Sequence, residues 1–129
     1  MALLEEAIKS RLTTFAGLTA LIGTRAYPTR MPQNPVYPNL VFTEISNIPD
    51  YVMGGQSGIA RARYQIDCYA DSVSGVKALA EQVRLALSGF RGTVAAVVID
   101  LVLKQNSTTV DEENRVIADY FFFYREAIP

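Results

Sequence analysis

The most constraining stretch of the chain is residues 59–70, where Ala60, Ala62, Tyr64, Ile66, Cys68 and Ala70 alternate with Arg61, Arg63, Gln65, Asp67 and Tyr69. Successive side chains of a strand point to opposite faces, so this period of two predicts a strand with one face in a core and the other polar. A change of period follows at once. Val76, Leu79, Val83 and Leu87 recur at helical spacing, which predicts a helix over residues 74–88 with Asp71 or Ser72 as its N-cap and Gly89 at its C-terminal end. A helix leaving such a strand packs back on the sheet through that stripe.

The flanking segments extend the pattern. Leu4, Ile8, Leu12 and Phe15 predict a helix over residues 2–16, with Glu5 and Glu6 in the first turn suiting the positive end of its dipole. Gly17 is expected to interrupt it, and residues 18–22 to add one turn ending at Gly23. Between Tyr27-Pro28 and Tyr37-Pro38 the chain must be extended or turning, because residues before proline avoid the helical region. Residues 40–45, 94–103 and 116–125 read as strands, and the polar or glycine-rich stretches 47–58 and 105–114 as loops. The last strand is apolar on both faces, with Ile117, Phe121 and Phe123 on one and Ala118, Tyr120, Phe122 and Tyr124 on the other. Such a strand is doubly covered or meets another subunit. The expected architecture is α+β: a mostly antiparallel four-stranded sheet with helices packed on one face, in the order α-β-β-α-β-β.

Size and composition set the function classes. A chain of 129 residues is expected to form a single domain over 1–129, since halves would have marginal cores. Half of the residues are hydrophobic, enough for a core without metals or disulfides, and the lone Cys68 excludes an internal disulfide. With no secretory pattern and no apolar run near the ~20 residues of a membrane span, no membrane association is expected and synthesis is placed in a cytoplasm. Twelve basic and thirteen acidic residues give a net charge of -1, so the basic field that grips nucleic acid is missing. The absence of histidine removes the commonest general base and metal ligand. Gly54-Gly55 and Gly58 lack the lysine and helix start of a phosphate-binding loop. Asp67 and Asp100 could be read as a carboxylate pair, but lone strand aspartates are far more often structural. Cys68 falls on the apolar face and reads as a small buried hydrophobe. No catalytic residue, metal or cofactor is expected.

The stretch SGIARARYQIDCYADSVSGVKALAEQVRLAL, residues 57–87, resembles the signature of tail-completion (tail-terminator) proteins of long-tailed bacteriophages. The match lies in Arg63, Gln65, Ile66, Asp67, Cys68, Tyr69 and Ala70, then in Ala78, Leu79, Ala80, Val83, Arg84 and Leu87. Upstream, LTALIGTRAYPTRMPQ is similar to that family's entry of helix, glycine, Arg-x-Tyr-Pro and Pro-Gln. Tyr69 departs from it, standing where a tryptophan is often found. The resemblance implies a structural virion assembly protein of a phage or prophage, sited at the head-proximal end of the tail and assembled in the host bacterial cytoplasm. It implies a hexameric ring that caps the tail tube and provides the head-joining surface. Its partners would then be further copies of itself, the tail tube protein and the head-tail connector protein, with DNA passing through the ring unread. The alternative is a small ligand-binding module or enzyme on a ferredoxin-like sheet.

Candidate partner-contacting residues are Tyr51, Val52 and Met53 in the expected loop, Arg61 and Arg63 on the polar strand face, and Tyr120 and Phe122 in the aromatic run. Each has a plainer role as well: solvated ladder charges for the arginines, core for the aromatics, an ordinary connection for the loop.

Overall fold

A computed structural model describes residues 4–52, 55–95, 97–110 and 114–125, without the side chains at 49–52 and 55–58. In chain order the elements are α1 (Leu4–Thr14), α2 (Ala16–Ile22), β1 (Ala26–Pro28), β2 (Asn39–Val52), β3 (Gly55–Tyr69), α3 (Val73–Leu87), β4 (Gly92–Val94), β5 (Val97–Val110) and β6 (Arg115–Arg125). The strands form one sheet in the order β1-β2-β3-β6-β5-β4, curled into a half-barrel. This overturns the expected four-stranded antiparallel sheet. Six strands are present, and the sheet is mixed because β1 runs parallel to β2, pairing Ala26 with Leu40 and Pro28 with Phe42.

Both extra strands are short and lie at the sheet's edges. β1 hides in the proline-punctuated stretch; a proline, which has no N–H to donate, is tolerated in an edge strand. β4 and β5 were expected as one strand over 94–103, but Ala95 takes φ 49° and turns the chain back. The left-handed region is rarely visited by a residue with a Cβ, so nothing at Ala95 announces a turn. The expected loops 47–58 and 105–114 are also corrected, because strand structure invades both. β2 and β3 stay paired out to Val52 and Gly55, and β5 and β6 out to Val110 and Arg115. Pairing across the hairpins overrides the weak strand propensity of these polar residues. The β2–β3 and β5–β6 ladders carry bulges, between Glu44 and Ser46 and between Pro49 and Tyr51 in the first, and twice in the second. Bulges bend and twist a ladder locally, in keeping with the curl.

One core cluster joins all three helices to one face of the sheet. Ala60, Ala62, Tyr64, Ile66 and Cys68 of β3 are buried there, beside Val116, Ala118, Tyr120, Phe122 and Tyr124 of β6. The α3 stripe Val76, Leu79, Val83 and Leu87 packs on them as its spacing predicts. Ser72 caps α3, its Oγ accepting a hydrogen bond from the Gly75 N–H at 3.0 Å, and Gly89 takes φ 77° just past the end. The break after α1 falls at Phe15 and not at Gly17. Gly17 instead sits in α2, where the amide end of the Gln82 side chain on α3 occupies the space a Cβ would take.

Candidate assembly surface

The two central strands present a second face that no helix covers among the described residues. From β3 it receives Arg61, Arg63, Gln65, Asp67 and Tyr69, and from β6 Arg115, Ile117, Asp119, Phe121 and Phe123, because these alternate with the buried set. Register decides who meets whom. Arg63 lies opposite Phe121 and reaches diagonally to Asp119 at 2.8 Å; Asp67 lies opposite Ile117 and reaches diagonally to Arg115, also at 2.8 Å. The Gln65 amide donates to Asp67 Oδ1 at 2.9 Å and lies opposite Asp119 in register, so it stands between the two pairs in a polar strip. Arg61 lies over the Phe121 ring at 5.2 Å, and Arg115 over Tyr69 at 5.3 Å.

Away from that strip the same face turns apolar. Phe121 and Phe123 are half-buried, and the register places Ile48 of β2 beside Arg61 and Leu103 of β5 beside Phe121. Ile48 is 51% exposed and Leu103 45%. Arginine stacked on aromatics, with aliphatic residues around it, is a composition enriched where proteins meet proteins.

The expected contact residues divide. Arg61 and Arg63 lie on this face, Arg63 within the ion-pair strip and Arg61 next to it. Tyr120 and Phe122 do not: they are 1% and 0% exposed and form part of the core under α3, so their neighbours Phe121 and Phe123 take the outward positions. Alternation alone separates the two sets without saying which one a helix will cover. Tyr51 and Val52 end β2, paired with Gln56 and Gly55, and Met53 lies outside the described residues. Ile48 and Leu103 were missed. Ile48 lay in an expected loop, and Leu103 carried only the signal of an apolar residue at a strand's end.

Asp67 and Asp100 are engaged separately, Asp67 with Arg115 and Asp100 with Arg125 at 3.4 Å. On β6 they align with Ile117 and with the Phe123–Tyr124 end, roughly 20 Å apart at about 3.3 Å per residue, so they form no carboxylate pair. On the helix side, a cleft of about 160 Å3 is lined by Cys68, Lys77, Glu81, Lys104, Ser107 and Tyr120, among others. It is smaller than the roughly 300–1,000 Å3 typical of small-molecule sites. Burial above all, then the neighbouring Asp67 charge, pushes the Cys68 thiol well above its ordinary range, so it stays protonated and a poor nucleophile.

Residues 6–123 match the model of the family described as tail completion protein gp17. The chain belongs to that family. It is thus a structural protein of the phage virion, and its place is the tail. A solved chain within the virion of a native gene transfer agent particle has the same fold, with a TM-score of 0.68 over 95% of this chain and 92% of that one at 21% identity. No curated protein sequence matches significantly.

Proposed function

We propose that this protein closes the head-proximal end of the tail tube as a ring, six-fold, and presents the surface to which the DNA-filled head is joined. It acts by contact alone, without catalysis. The observation that carries the reading is the helix-free sheet face, where Arg61, Phe121, Ile48 and Leu103 remain open to a partner beside the half-buried ion-pair strip. Membership of a tail completion family gives that face its context. The neighbours would be further copies of this chain, the tube protein on one side and the head connector on the other. A ring uses two different patches on each subunit, so neither patch has to be self-complementary. With a net charge of -1 the ring would let DNA pass without holding it. Tyr51 and Val52 at the end of β2, with Met53 next in sequence, would add apolar anchors to the same partners.

The test is electron microscopy of purified protein mixed with tail tubes. Capped tubes that no longer elongate are expected, together with loss of capping in an Arg61→Ser/Phe121→Ser variant that folds normally. Tubes that elongate equally with and without the protein would overturn the proposal.

A further inference from the structure

The sheet is notched at both flanks. On one side β1 covers β2 only at positions 40–42, leaving the outer edge of β2 without a strand partner from position 43 onward among the described residues. On the other side β4 covers β5 only at positions 97–99, and the Gly89 N–H donates to the Val102 carbonyl at 2.8 Å. Beyond that bond, positions 103–110 of β5 have no strand partner outward among the described residues, and every residue from 103 to 109 is exposed. Open edges are templates for further strands, and this β5 stretch carries none of the proline that blunts such edges.

We infer that these two edges join to each other between copies of this chain, β5 of one subunit against β2 of the next, so that the sheets run on around the ring. The inference rests on the ring reading above. Three features select this occupant. First, β2 and β5 are separated by three antiparallel steps and so run in opposite directions, which makes a head-to-tail joint an antiparallel ladder with the helices of both copies on the same side. Second, the open runs are of similar length, 43–52 and 103–110, and lie toward opposite ends of the sheet, so the joint steps along the strands as it does in closed barrels with tilted strands. Third, the charges are complementary. The sequence TEISNIPDYV of the β2 run carries Glu44 and Asp50, whereas LKQNSTTV of the β5 run carries only Lys104. Like-with-like pairing would bring together two acidic runs or two basic ones; only the mixed joint brings runs of opposite sign together. Ile45 and Ile48, the exposed aliphatics of β2, would lose their water in it.

Charge exchange tests the joint. Antiparallel pairing of 43–52 with 103–110 sets Lys104 opposite position 50, an aspartate, so the exchange is made there. Asp50→Lys and, at the exposed Lys104, Lys104→Glu are expected to fold as wild type by circular dichroism and denaturant unfolding. Association is followed by analytical ultracentrifugation at low salt, with and without tail tubes. Each single variant should associate about tenfold more weakly, Lys104→Arg should match wild type, and the double exchange should recover most of the loss. Wild type that forms rings while both single variants form them equally well would overturn the edge joint and leave the ring standing. Single losses without recovery in the double exchange would also overturn it, placing these residues against some other surface. Wild type that remains monomeric even on tail tubes would remove the ring, and the joint with it.

Discussion

The strands β3 and β6 are each read twice by their surroundings. On the helix side, ten successive inward positions are buried, and their chemistry is aliphatic, aromatic or a single thiol. On the opposite side the same backbone carries arginines, aspartates and half-exposed phenylalanines. Burial on the first side supplies the hydrophobic free energy of folding. The second side contributes little to that, since ion pairs in reach of water are worth about 0–1 kcal/mol. Changes on the two faces should therefore have separable effects, one on stability and the other on assembly.

The sharpest way to break that separation is Phe122→Ala. A fully buried aromatic in the core should cost about 3–5 kcal/mol in denaturant unfolding. Leu79→Ala, at the centre of the α3 stripe, should cost about 2–5 kcal/mol. If either loss is near zero, the helix side is not the seat of stability.

Asp67 tests the boundary between the faces, because it belongs to the open side and is nonetheless buried. Asp67→Ala deprives the Arg115 guanidinium of its carboxylate in a partly dry setting and should cost about 1–3 kcal/mol. A cost near zero would make the polar strip a solvated surface like any other. Alkaline titration sharpens the comparison from the helix side. Burial raises the Tyr64 and Tyr120 hydroxyls and the Cys68 thiol above their ordinary values of 10.0 and 9.0. Groups that hold their protons longer when folded contribute stability that is intact below those ordinary values and falls as pH climbs beyond them. Tyr64→Phe should make the fall from about pH 10 upward shallower in denaturant unfolding measured at stepped pH; an unchanged slope would show that the hydroxyl ionises freely. The smallest stability effect is expected for Phe121→Ser combined with Arg61→Ser, about 1 kcal/mol or less on the exposed side. Tail capping should nevertheless fall steeply, and a variant that caps like wild type would break the division of labour.

These faces were legible to different degrees. The α3 stripe and the β3 alternation were plain, because a core imposes a period on the residues that fill it. For β6 the alternation was equally plain but its sense was hidden: Tyr120 and Phe122 are no more apolar than Phe121 and Phe123, and only the position of α3 decides between them. The long hairpins were hidden for another reason. Their residues, among them Asn47, Pro49, Gly55 and Asn106, have weak strand preference and gain their conformation from the partner strand. Ala95 was illegible, since no side chain there marks the turn that separates β4 from β5.

The sealed thiol of Cys68 has a consequence beyond packing. A virion leaves the cell that builds it and waits in aerated surroundings, where an accessible thiolate would be oxidised or would cross-link neighbouring copies. Here the sulfur is buried beneath α3 and holds its proton. A particle fitted with this protein should therefore tolerate long exposure to air or peroxide without disulfide ladders forming among its subunits, and its shelf life should not depend on a reducing agent.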